Sequence, residues 1–263
     1  MTRIIKFLLV FLITILFQTQ TLAQNIKFLQ VTDVHMTQSN AHLLEDFVND
    51  INNKYNDLDF VIFTGDNIDQ ANVNDLKTFL SIIKKLKFKQ YVVMGNHDVF
   101  KSKNLDKKLY MKMVQQELGE YHSTKPNYIF KDKGVVFMVM DGVKEVIPGP
   151  GGYYREEELN WLDKNLTKYK KDKVVIVQHF PLLDGKAPRN EAYRKEDYLE
   201  MLKKHNNVIA IVCGHYHENR EEMKDNIYHI LTMKWLNNTY YKIIEIDTQI
   251  PMIYTQLINN HEN

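Results

Sequence analysis

The chain reads as an α/β protein. Short runs rich in β-branched and aromatic residues alternate with segments whose apolar residues recur at helical spacing. Several runs are apolar almost without interruption, the pattern of strands buried on both faces of a sheet. Most of them also stop abruptly at glycine, aspartate, asparagine or histidine, at the carboxyl ends where open α/β sheets bind ligands.

Taken in order, the first strand is IKFLQVTD, ending at Asp33. It is followed by AHLLEDFVNDINNKY, where Leu43, Leu44, Phe47, Val48 and Ile51 share one helical face. LDFVIFTGD is the second strand, and DLKTFLSIIKKL a second amphipathic helix with Leu76, Phe79, Leu80 and Ile83 on its stripe. QYVVMGNHD, YIFKDKGVVFMVMD, KVVIVQHF and NVIAIVCGH continue the strand series. REEELNWLDKNL opens with three glutamates, favourable at a helix N-terminus, and carries Leu159, Leu162 and Leu166 on one stripe. After Ile227 the pattern changes to consecutive strands, IYHILTM, TYYKIIEID and PMIYTQLI, expected to form an antiparallel tail.

Composition narrows the class. Of 263 residues, 44% are hydrophobic and 25% charged, the balance of a folded globular domain. A formal charge of +1 points to no nucleic-acid partner. Residues 1–23 stand apart: Arg3 and Lys6 precede an apolar run from Phe7 to Phe17, and Thr21 and Ala23 occupy the small-residue positions of a signal-peptidase site. That run is short of the ~20 residues that span a bilayer. The expectation is a cleaved signal peptide, a single domain from 24 to 263, export to the periplasm or medium, and no stable membrane anchor after cleavage. Cys213 is the only cysteine, so core packing, helped by metal, has to hold the exported domain.

Five strand ends supply metal-ligating groups. Asp33 and His35 lie two apart, as do His215 and His217; with Asp66, Asn96 and His179 they make seven oxygen and nitrogen donors without a thiolate. Seven exceed what one tetrahedral zinc takes and suit two ions that share a carboxylate. Gly65, Gly95 and Gly214 each precede such a donor, where the chain turns or its backbone approaches the ions. With Asn96 facing the metals, its neighbour His97 is free to face a departing ester oxygen, and Asp98 is placed to hold the imidazole in one tautomer. The ligand chemistry accepts Mn, Fe, Zn, Co or Ni.

The set DVH (33–35), GDNID (65–69), GNHD (95–98), QHFP with His179, and GHYH (214–217) resembles the calcineurin-like metallophosphoesterases in order and spacing over essentially the whole mature chain. The compact group that includes class III cyclic-nucleotide phosphodiesterases is the most similar. The resemblance implies a sandwich of two mixed β-sheets flanked by helices. It implies one metal on Asp33, His35, Asp66 and His217 and a second on Asp66, Asn96, His179 and His215, with Asp66 bridging. It further implies hydrolysis of a small-molecule phosphate ester by in-line attack of a hydroxide between the ions, slightly favouring diesters over monoesters. His97 would assist departure, backed by Asp98. Asp69 stands where purple acid phosphatases carry a tyrosine, which argues against an iron–tyrosinate site. Gln178 replaces the first histidine of the His-His-Pro sequence common in the group, a departure that touches substrate transfer and not metal binding.

Overall fold

The computed structural model describes residues 25–250 and 252–261, so the expected signal peptide lies outside the described residues. In chain order the strands are β1 (Ile26–Val31), β2 (Phe60–Thr64), β3 (Lys89–Val93), β4 (Tyr128–Asp132), β5 (Val135–Met140) and β6 (Lys173–Gln178). They continue with β7 (Val208–Cys213), β8 (Arg220–Lys224), β9 (Ile227–Leu231), β10 (Tyr240–Ile246) and β11 (Ile253–Asn259). The helices are α1 (Ala41–Lys54), α2 (Val73–Ile83), α3 (Lys107–Leu118), α4 (Glu156–Lys168) and α5 (Lys195–Leu202).

The strands form two mixed sheets, β11-β10-β1-β2-β3 and β4-β5-β6-β7-β9-β8, as expected of the sandwich. In the first, β1, β2 and β3 are parallel, and β10 and β11 are added antiparallel. In the second, β5, β6, β7 and β9 are parallel between antiparallel edges. The helices flank them, α1 burying Leu44, Phe47, Val48 and Ile51 and α2 burying Leu76, Phe79, Leu80 and Ile83. Asn72 caps α2 by accepting from the amides of Asn74 and Asp75, and Asp106 caps α3 through Leu109 N at 2.7 Å.

The sheets meet through rings. Phe28 of β1 stacks on Phe60 of β2, with 4.7 Å between ring centres, and Phe137 of β5 meets them edge-on at 5.7 and 5.1 Å. Phe130 of β4 stacks between Phe137 and Tyr91, at 4.7 and 3.6 Å. A polar pin closes the sandwich near the strand ends. Gln30, fully buried, donates to Thr64 Oγ1 (2.9 Å) and to the Cys213 carbonyl (3.0 Å), and its own carbonyl accepts from Thr232 Oγ1 (2.6 Å). This pin holds the carboxyl ends of β1, β2 and β7 together, which is where the donor residues emerge.

Two expectations are corrected. The tail is not wholly antiparallel: β9 lies parallel to β7 in the second sheet, while β10 and β11 cross to the first. What permits this is β8, an edge strand with sequence REEMK that was not foreseen, joined to β9 through Asp225 and Asn226, both at positive φ as a tight hairpin turn requires. Its alternating exposed and half-exposed charged residues suit a guarded edge but carry no apolar signal. YIFKDKGVVFMVMD is two strands, turned at Lys133 and Gly134, again at positive φ. Among the described residues no helix is long and apolar enough to cross a membrane.

Removing the ring on which both sheets converge tests this account of the core. Phe137→Ala should lower unfolding free energy by about 3–5 kcal/mol in urea denaturation. A loss below about 1 kcal/mol would show that the sheets are held together elsewhere.

Candidate metal centre

The donor residues are aimed by backbone conformations that side chains seldom adopt. Beyond β1 and β2 the two chains keep bonding irregularly: Asp33 N to Gly65 O (3.0 Å), His35 N to Asp66 O (2.9 Å) and Met36 N to Asn67 O (3.1 Å). Within this ladder Asp33, His35 and Asp66 have φ of 53°, 48° and 51°, and beyond β7 His215 and His217 have 69° and 54°. Left-handed backbone is uncommon outside glycine and costs on the order of 1–3 kcal/mol per residue. Two neighbouring glycines matter by closeness rather than by turning. A Cβ on Gly95 would lie 2.1 Å from Asp66 Oδ1, and one on Gly214 would lie 1.8 Å from Thr32 Oγ1.

Each carboxylate is anchored by one oxygen and presents the other. Asp33 Oδ2 accepts from Thr32 Oγ1 (2.7 Å) and His215 N (2.9 Å), while Oδ1 faces His217 Nε2 at 3.2 Å. Asp66 Oδ1 accepts from His97 N (2.9 Å), while Oδ2 faces His179 Nε2 at 3.3 Å and His35 Nε2 at 3.9 Å. The imidazoles follow the same rule. His179 Nδ1 bonds the Thr64 carbonyl (2.8 Å) and His215 Nε2 the Asn190 carbonyl (2.9 Å). With those nitrogens engaged, His179 Nε2 and His215 Nδ1 are turned toward each other at 3.2 Å.

Such an arrangement asks for a cation. Donor atoms of Asp33, His35 and His217 lie within 4.8 Å of one another, and so do those of Asp66, His179 and His215. Both ring nitrogens of His35, Asp33 Oδ1 and Asn96 Oδ1 are buried without a hydrogen-bond partner, and a metal would satisfy the two oxygens and one of the His35 nitrogens. Burial pulls the His179 imidazole down, yet the Asp66 and Asp33 carboxylates and the Thr64 carbonyl push it up to about 9. A proton there stands in for metal charge. Burial and the neighbouring His179 charge pull His215 down to about 4, leaving it neutral. Asp66 is held below the ordinary carboxylate range: burial opposes this, and the His179 charge outweighs it.

The structure thus brings Asp33, His35, His217, Asp66, His179 and His215 together, with Asn96 between two residues that touch Asp66. His97 is exposed beside them, its ring 4.6 Å from that of His35. Its expected partner is corrected. His97 Nδ1 bonds the backbone carbonyl of Asp69 (2.6 Å), not Asp98. Asp98 is fully buried and accepts from the amides of Gly95 (2.7 Å), Asn67 (2.8 Å) and Ile68 (3.1 Å) and from Asn67 Nδ2 (3.1 Å). Four donors leave it no capacity for an imidazole; it clamps the β2 and β3 loops to each other. Burial and the nearby Asp66 charge push its carboxyl up to about 7, against the pull of its amide donors.

Asp69, which stands where purple acid phosphatases carry a tyrosine, has its carboxylate 3.6 Å from His35 Nδ1 and its carbonyl on His97. The turn PGP (148–150), before α4, lines the same pocket as His97. Position three residues beyond the shared carboxylate was a signal for Asp69; no signal in the sequence exposes a backbone carbonyl.

A family model of calcineurin-like phosphoesterases matches residues 26–219. The chain belongs to the calcineurin-like phosphoesterase family. With that membership the expected enzyme class stands, a metal-dependent phosphoric ester hydrolase. The chain is 31% identical over 176 residues to a probable glycerophosphodiester phosphodiesterase GpdQ of Arcobacter nitrofigilis, a match covering 64% of this chain and 59% of that protein. It is 24% identical over 222 residues to a 3',5'-cyclic adenosine monophosphate phosphodiesterase CpdA of Vibrio vulnificus, covering 80% and 76%. The fold resembles that of a dimetal phosphatase from Danio rerio, with a TM-score of 0.63, 16% identity, and coverage of 89% of this chain and 98% of that one.

Two measurements probe this phosphoesterase site. Because metal-free His179 keeps its proton up to about pH 9, Mn²⁺ uptake at neutral pH should expel about one proton. Calorimetry in buffers of different protonation enthalpy should show it; heats independent of buffer would contradict it. Asp98→Asn turns an acceptor into a donor facing Gly95 N and should destabilise the fold by about 1–3 kcal/mol. Unchanged stability with lost turnover would return Asp98 to a chemical role.

Proposed function

We propose that this phosphoesterase holds two metal ions and hydrolyses small phosphodiesters after export. One observation carries the reading: two sets of metal donors adjoin through Asp66, whose Oδ2 faces a histidine of each set, His179 at 3.3 Å and His35 at 3.9 Å. Asp33, His35, Asp66 and His217 would hold one ion, and Asp66, Asn96, His179 and His215 the other. When bound, two such ions supply Lewis acidity and an activated water for in-line displacement at phosphorus. Their identity, Mn, Fe, Zn or similar, is left open by donors of this kind.

The protein's own part is orientation and proton supply. His97 has its Nδ1 engaged by the Asp69 carbonyl, so Nε2 is the nitrogen that meets substrate. From that nitrogen a proton would pass to a departing alkoxide. The lean to diesters draws on the names of the relatives, a glycerophosphodiester and a cyclic-nucleotide phosphodiesterase. A phosphomonoesterase would use the same donors. Export rests on residues 1–23 alone, with the mature chain starting at Gln24.

Hydrolysis of bis(p-nitrophenyl) phosphate should exceed that of p-nitrophenyl phosphate in the Mn²⁺-loaded protein; a strong monoester preference would make it a phosphatase. His97→Gln should lower kcat by roughly 10²–10⁴-fold with bound metal unchanged. Full turnover in that variant would remove His97 from the mechanism.

A further inference from the structure

We infer that the pocket beside His97 receives the leaving alcohol and selects alcohols bearing a flat apolar ring over polyols. The inference rests on the phosphoesterase reading and names the substrate class of the same site. Asn96 and His97 line a pocket of about 310 Å³. With Nδ1 held by Asp69, His97 offers its other nitrogen to the departing oxygen, so the alcohol extends on the His97 side. The volume is at the small end for ligand pockets, enough for a ring or short chain and not for a long acyl group.

The walls decide between ring and polyol. Ala71, Phe100, Pro148 and Pro150 contribute carbon surface, and Val146 and Ile147, just before Pro148 in the chain, are 62% and 79% exposed. The polar lining is mostly engaged already. The Asp69 carbonyl accepts from His97 and Gln70 Oε1 accepts from Lys103 Nζ at 2.9 Å. Besides Asn96 Oδ1, assigned above to the metal centre, the Asp69 carboxylate, leaning toward His35 at 3.6 Å, is the acceptor that remains. A glycerol moiety would lose water from its hydroxyls here and regain few hydrogen bonds. A ring loses nothing and buries its faces against proline and phenylalanine. Lys103, the cation of the lining, keeps N–H groups for a ring heteroatom or a ring face.

The test compares benzyl methyl phosphate with 2,3-dihydroxypropyl methyl phosphate, alcohols of similar acidity, followed by phosphorus NMR with the Mn²⁺-loaded full protein. The benzyl diester should have a kcat/KM at least about tenfold higher. In Phe100→Ala, and in Pro150→Asp at an exposed position that leaves the core untouched, that ratio should fall toward one. An equal or higher kcat/KM for the glyceryl diester, or an unchanged ratio in folded Pro150→Asp, overturns the ring pocket and leaves the phosphoesterase reading standing. Hydrolysis of neither diester, nor of any aryl phosphate ester, overturns both.

Discussion

Everything at the strand ends is organised around one electrostatic problem: two buried carboxylates and two buried imidazoles crowd together with their free atoms pointing inward. Asp33 and Asp66 are each 2% exposed and His179 1%, and the distances between their presented atoms are about those of hydrogen bonds. Buried charges of one sign are tolerated only when compensated. Without metal the protein compensates with a proton on His179 and with main-chain donors on the carboxylates' outer oxygens. Cations would complete that compensation, and this is why the donor set is held so rigidly.

The rigidity comes from the main chain. Thr64, Asn190 and Asp69 fix three imidazoles through their carbonyls, and the amides of His97 and His215 fix the two carboxylates. Such contacts survive changes of side chain, but they depend on loop shape, hence the left-handed residues and the glycines packed against Asp66 and Thr32. The local strain must be offset by packing elsewhere, and the interlocked rings of β1, β2, β4 and β5 supply such packing.

How much of this the sequence disclosed follows the same division. Strand runs ending in aspartate and histidine were legible, because continuous apolar runs and abrupt polar ends are properties of side chains. So were the helices with strong apolar stripes, and six of the seven expected donors fall into two clusters in the fold. What backbone atoms decide was not legible. Adjacency in GNHD suggested an Asp98–His97 pair, whereas the loop turns Asp98 inward onto amides and gives His97 a carbonyl. The parallel placement of β9 depends on a charged edge strand without apolar periodicity. His122 and His229 are buried with ring nitrogens that find no hydrogen bond. A lone histidine carries no sequence signal for that.

The donors also tie the chemistry to the closing of the sandwich. Asp33 and Asp66 leave the first sheet, His179 and His215 the second, and Asp33 bonds the amide of His215 from 182 residues away. No donor pair across the sheets exists until β1 and β7 are drawn together by Gln30. Ligand atoms assembled only in the native state transfer their binding free energy to the native state as a whole. A protein whose single cysteine is buried at the end of β7, and so forms no disulfide within the chain, can therefore gain global stability at the place where its backbone is most strained.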